Sequence, residues 1–209
     1  MKEIRVRLTF TEETLGTLPG DEKVYSKFIA SKAPDATTIE EELEMLSPDE
    51  YAEKQMTVFA RNEKGEPCIY DYQIRGFFKE ACGILKKVPG KASNGIAANK
   101  KLIDNYVFIK ERMIPLNLHG KALGVCERPL RAQTMQGERI ALAMSEAAPA
   151  GTTCEFTVQL LLEKSEPKKG KKDVDYVLAL KEWLDYGTFK GYGQWRNSSK
   201  GRFMWREIF

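Results

Sequence analysis

The chain has 209 residues, with 33 lysines and arginines against 30 aspartates and glutamates, a net charge of +3 and a single histidine. That length suits one elaborated domain, and the small net charge does not by itself announce a nucleic-acid binder. The four cysteines, Cys68, Cys82, Cys126 and Cys154, lack the C-x-x-C spacing of zinc or redox sites and read as reduced, mostly buried thiols.

In chain order, Ile4-Arg-Val-Arg-Leu-Thr-Phe10 alternates apolar and polar residues as a half-buried strand does, and it ends near Gly16. Residues 21–55 then form a strongly acidic excursion that reads as helical. Val24, Phe28 and Ile29 recur at helical spacing, and Thr37-Thr-Ile-Glu40 resembles a capping box ahead of Leu43 and Leu46. Met56-Thr-Val-Phe59 is a strand candidate, and Asn62 to Pro67 is a turn leading into Cys68-Ile-Tyr70.

Gln73 to Val88 carries the clearest helical pattern. Ile74, Phe77, Phe78, Ala81, Ile84 and Leu85 make its apolar stripe, while Arg75, Lys79 and Lys86 fall together elsewhere, as a solvated face or a phosphate-contacting one. A short helix is expected around Ala97 to Ile103. A strand follows at Tyr106-Val-Phe-Ile109, which Arg112 to Leu116 continues.

Glu127-Arg-Pro-Leu-Arg-Ala-Gln133 contributes Arg128 and Arg131, and Cys154 to Leu162 is the most convincing strand after the first. Lys164 to Asp175 reads as a charged loop. Val177 to Leu184 reads as a helix with Leu180, Trp183 and Leu184 on its core side, delivering the chain to Tyr186-Gly187, and Arg202 to Ile208 alternates like a closing strand. Helices interspersed with antiparallel-type strands indicate an α+β fold.

The segment Gly191-Tyr-Gly-Gln-Trp-Arg-Asn-Ser-Ser-Lys-Gly-Arg-Phe203 is the most informative in the chain. Gly191, Gly193 and Gly201 permit positive φ and let main-chain amides converge on an anion. Arg196, Lys200 and Arg202 supply charge, and Tyr192 and Trp195 supply flat surfaces for a base. A glycine-containing hairpin is the plainer alternative.

Other chemistries find little support. His119, beside Gly120 in a loop, is the only histidine available to a nucleophilic triad or to acid–base catalysis. Glu40, Glu41 and Glu42 are adjacent and point in different directions from a helix, so no metal site is expected there. No P-loop or dinucleotide fingerprint is present, and no cofactor is expected. The first residues form no apolar leader and no later run approaches a membrane span, which points to a soluble, cytoplasmic protein.

Four landmarks in this order resemble the RAMP superfamily, specifically the backbone subunits that line the guide RNA in type III CRISPR effector complexes. They are a first strand running to Gly16, Lys64-Gly-Glu-Pro leading through Tyr70-Asp-Tyr-Gln-Ile-Arg75 into a helix, Glu138-Arg-Ile followed by Pro149-Ala-Gly, and the C-terminal glycine-rich loop before a last strand.

The resemblance implies a modified RRM-like or ferredoxin-like core, with residues 21–55 as an insertion on a single domain. It also implies that Arg75, Lys79 and the glycine-rich loop approach RNA phosphates, and that the chain self-associates or docks with other effector subunits. Where catalytic members carry an aspartate, Lys54, Gln55 and Met56 stand, so holding RNA is expected rather than cutting it. A mobile-element anti-defence protein that mimics a backbone subunit or sequesters a signalling nucleotide is the alternative, motivated by the acidic excursion. A nuclease acting on RNA or a cyclic oligonucleotide is a third.

Overall fold

Alternation in β1 (Lys2–Phe10) gives the strand two faces: Ile4, Val6, Leu8 and Phe10 are buried, whereas Arg5 and Arg7 turn the other way. The computed structural model describes residues 1–20, 56–134, 137–165 and 173–209. β1 lies between two antiparallel partners. On one side is β11 (Thr153–Leu160), with Val6 opposite Phe156, and on the other is β12 (Phe203–Glu207), with Phe10 opposite Phe203. β7 (Val107–Ile109) and β8 (Met113–Asn117) both pair antiparallel with β11.

α1 (Asp71–Leu85) lies between β1 and β7 in sequence, and α3 (Tyr176–Lys190) lies between β11 and β12. The order along the sheet is therefore β12, β1, β11, β7. That is the ferredoxin-like βαββαβ arrangement within the expected α+β class.

The core lies between this sheet and the helices. Ile74, Phe77, Phe78, Ala81, Cys82 and Leu85 of α1 and Ala179, Leu180, Trp183 and Leu184 of α3 join the inward residues of β1 and β11. Cys82 is buried with them, whereas Ile84, expected on this stripe, is 38% exposed. The buried Trp183 indole donates to Ser93 Oγ at 2.7 Å, satisfying two polar groups that burial would otherwise penalise. The short helix is α2 (Asn99–Tyr106), which ends where β7 begins.

β8 does not continue β7 but is a separate strand, leading to β6 (Pro67–Tyr70) and then β5 (Ala60–Arg61). The expected strand over 56–59 is split at Phe59, whose amide donates to Glu146 Oε2 at 2.8 Å. A second sheet is built on a hairpin of β9 (Gly124–Thr134) and β10 (Gly137–Ala148). It is joined by β2 (Thr14–Leu15), β3 (Leu18–Pro19) and β4 (Thr57–Val58).

The acidic residues 21–55 and the triplet Glu40 to Glu42 lie outside the described residues, but the flanks of this segment meet, the Gly20 amide donating to Met56 O at 2.9 Å. Among the described residues no helix is long and apolar enough to cross a membrane.

α3 runs on through Tyr186 and Gly187, where the sequence suggests its end. Phe203 packs against the helix there, and a Cβ on Gly187 would sit 2.0 Å from the Phe203 ring. That ring is itself held edge-on by Phe10 and Phe77. Alanine in a helix interior normally stabilises by up to about 1 kcal/mol over glycine. Here overpacking of about 1–3 kcal/mol reverses the sign. Gly187→Ala is thus expected to lower the thermal midpoint, and a raised midpoint in a melting experiment would refute this packing.

All four cysteines are free thiols, with Cys68, Cys82 and Cys154 buried and Cys126 half-exposed. Burial raises the Cys68 thiol, pushes Cys82 up to about 11 and pushes Cys154 up to about 12, so the three stay protonated at neutral pH. At pH 8 a disulfide reagent should modify Cys126 first in the native protein and reach all four only after denaturation. Rapid reaction of several native thiols would contradict the burial.

Candidate nucleic-acid interface

The glycine-rich loop is closed by main-chain contacts. Gly191 has φ 75° and Gly201 has φ 71°, and the chain crosses itself between them. The Tyr192 amide donates to Gly201 O at 2.8 Å, the Gly201 amide to Glu13 O at 2.7 Å, and the Thr11 amide to Arg202 O at 2.8 Å. A Cβ on Gly201 would lie 1.9 Å from Tyr192 O. Glycine is required there for close backbone approach.

The amides of Gly191, Tyr192, Ser198, Ser199 and Gly201 all donate to carbonyls of the chain itself, which corrects the expectation that these main-chain donors converge on an anion. Tyr192 is corrected too. Its ring is buried beside Phe10, where burial pushes the hydroxyl well above its usual range, so the ring belongs to the core and presents no surface for stacking.

What the loop turns outward is Trp195. Its backbone is left-handed, with φ 50°, an arrangement that costs a bulky residue on the order of 1–2 kcal/mol. The indole remains 38% exposed. The Arg128 guanidinium, reaching over from β9, lies 5.4 Å from the indole centroid.

Gln194 holds this pair in place. Its carbonyl accepts from Arg128 Nη2 at 2.7 Å, and its Nε2 donates to Gly16 O at 3.0 Å and to Thr57 Oγ1 at 3.3 Å. Lys190, Gly193, Gln194, Trp195, Arg196 and Asn197 line an open cleft of about 360 Å³ beside the indole. The cleft combines cations, amides and one aromatic face, the groups that hold a phosphate and an unstacked base.

Two further cations of the loop are paired within the chain. Arg196 pairs with Glu80 of α1. Lys200 pairs with Glu13 at 2.6 Å, and that hydrogen bond raises the ammonium above its ordinary value, keeping it charged. Gly193 lies against the turn after β1, its Cβ position 3.5 Å from Leu15 O. Arg202 follows Gly201, and its carbonyl receives the Thr11 amide.

Arg75 pairs with Asp71 at 3.4 Å, Lys79 with Asp104 of α2, and Lys86 with Ala97 O at 3.3 Å. The cationic stripe of α1 is thereby paired within α1 and toward α2. Arg131 lies on β9 opposite Ile140, and its side chain is outside those described.

His119, φ 52°, sits at an exposed turn with Nε2 3.0 Å from Thr153 Oγ1. The face of the main sheet turned away from the helices carries Arg5, Arg7 and Thr9 from β1 and Glu155, Gln159 and the buried Thr157 from β11. None of these six is an aromatic of the kind on which RRM sheets stack bases; the exposed ring on this face is Phe108 of β7, opposite Gln159, and Glu155 takes up both Arg5 and Arg7.

Gln194, Lys190 and Asn197 were not expected from the sequence. Gln194 gains its role from segments distant in sequence, and Lys190 and Asn197 bond to one another across the loop, Lys190 Nζ donating to Asn197 Oδ1 at 3.3 Å.

No protein-family model and no curated protein matches the sequence. Among solved structures, a chain of one described as "Type IV-B CRISPR Complex" aligns over 99% of this chain and 90% of its own length, at 9% identity and a TM-score of 0.48.

Because Gln194 satisfies Gly16 O, Thr57 and Arg128 at once, Gln194→Ala leaves partly buried polar groups unpaired. A loss of about 1–3 kcal/mol is expected in denaturant unfolding. An unchanged midpoint would show that the amide does not secure the loop.

Proposed function

We propose that the chain is an RNA-binding protein of RAMP type, a component of a CRISPR-effector-like assembly that holds single-stranded RNA with its C-terminal loop. The observation that carries this reading is the exposed Trp195 indole, held in left-handed backbone under the Arg128 guanidinium at the lip of the cleft. A bulky aromatic kept in a costly conformation and half in solvent suits a surface poised for a base. Lys190 on the cleft wall supplies charge for the adjacent phosphates, and Arg196 beside it would exchange Glu80 for a phosphate on binding.

The ferredoxin-like strand order agrees with the core that the resemblance implies. Holding rather than cutting rests on the sequence, where Lys54, Gln55 and Met56 stand in place of the family's aspartate. Of the residues expected at RNA, Arg128, Trp195 and Arg196 are the core of the proposed site, Gly191, Gly193 and Gly201 shape it, and Lys200 and Arg202 brace it. Arg75, Lys79 and Arg131 are peripheral to it.

Fluorescence polarisation of a labelled single-stranded RNA measures this directly. Binding should weaken steeply with salt. Trp195→Ala and Arg128→Ala should each cost about tenfold in affinity, the lower part of the range for one base stacked on an aromatic. No binding by the purified, folded protein at low salt would overturn the reading.

A further inference from the structure

A second aromatic–cation cluster lies at the start of α1. Tyr70 and Tyr72 are stacked, their ring centroids 5.4 Å apart and their planes 18° from parallel. Arg112, from the turn before β8, lies over both, 5.3 Å from the Tyr70 centroid and 5.5 Å from that of Tyr72. Its guanidinium is fixed from the side by Asp71, whose carboxylate is itself largely buried, yet 68% of the Arg112 side chain is open to solvent. A cation beside two aromatic rings, held by a buried carboxylate and otherwise open to water, has the chemistry of a base-stacking position.

This cluster is joined to the Trp195 site through one turn of the chain. Gln73, the residue after Tyr72, donates Nε2 to Thr17 Oγ1 at 2.5 Å. Gln194, the residue before Trp195, donates Nε2 to Gly16 O at 3.0 Å. Each amide is the chain neighbour of a platform aromatic, and the two amides grip adjacent residues of the same turn. The two platforms therefore flank Gly16–Thr17 as parts of one braced unit.

We propose, resting on the RNA-binding reading above, that Arg112 on its Tyr70–Tyr72 floor is a second base-stacking position for the same RNA strand. The strand crosses the Gly16–Thr17 turn with one base on Trp195 and another on the Arg112 guanidinium. Such an arrangement requires unstacked bases, so the ligand is single-stranded RNA and a duplex is excluded.

The test uses the full-length protein with a labelled oligouridylate, a matched abasic oligomer and a duplex of the same length. Wild type should prefer the oligouridylate over both others. Arg112→Ala should weaken oligouridylate binding about tenfold. Arg112→Lys, which keeps the charge and loses the plane, should weaken it nearly as much and should shrink the gap between the oligouridylate and its abasic counterpart.

Thermal midpoints of both variants report folding. Should Arg112→Ala perturb folding, Arg112→Lys in the folded state carries the test. Wild-type affinity in Arg112→Lys, or an unaltered gap between intact and abasic oligomers, overturns the second position. Loss of binding on Trp195→Ala alongside such a result leaves the first reading standing. Failure of wild type to bind any of the probes defeats both.

Discussion

The contact between Phe203 and Gly187 governs the C-terminal third of the molecule. Gly187 lies one helical turn before the glycine-rich loop begins, and Phe203 is the first residue after it ends, so this contact clamps the loop at its base. Phe10 and Phe77 hold the ring in place, which ties the clamp to the central strand and to the first helix. Everything between, including the inward turn of Tyr192 and the outward turn of Trp195, is a chain whose two ends are already fixed. The loop's conformational entropy is thus reduced before any ligand arrives.

With its ends fixed, the loop can hold strained backbone. Trp195 and Ser199 both have positive φ, and the close crossing at Gly201 and Tyr192 leaves no room for relaxation. Three amide-mediated bonds of Gln194 then orient the neighbouring indole. Strain of this kind persists only where the surroundings over-determine it. Here the surroundings are three chain segments, 13–17, 57 and 128, each far from the loop in sequence.

Much of the fold was legible because its main elements are two-faced. Alternation in β1 and the apolar stripe of α1 each follow from one side facing a core; the β1 pattern holds throughout, and the α1 stripe holds except at Ile84, while β11 buries Phe156, Thr157 and Val158 in succession. The long β9–β10 hairpin was not read as such. Its strands include Pro129 and several alanines, which carry little strand signal, and pairing with each other and with β2 and β4 makes them regular. The end of α3 was misread because Gly187 looks like a helix terminator when it is a socket for a ring.

At the site, the glycines were recognised but their use was not, since close approach of backbone to backbone and approach of backbone to ligand demand the same residue. Arg128 and Trp195 were legible by type. Gln194 and Arg112 were not, because a polar side chain at a segment junction looks like any other until its partners are known.

The hydrogen bond from Gly20 to Met56 closes the main chain across the base of residues 21–55. Loop-closure entropy grows only with the logarithm of length, so once that gate is shut the number of residues beyond it weighs little on the folding of the body. The sheet runs from Pro19 to Thr57 as a neighbouring pair, so the two strands on either side of residues 21–55 are registered to one another by their own hydrogen bonds.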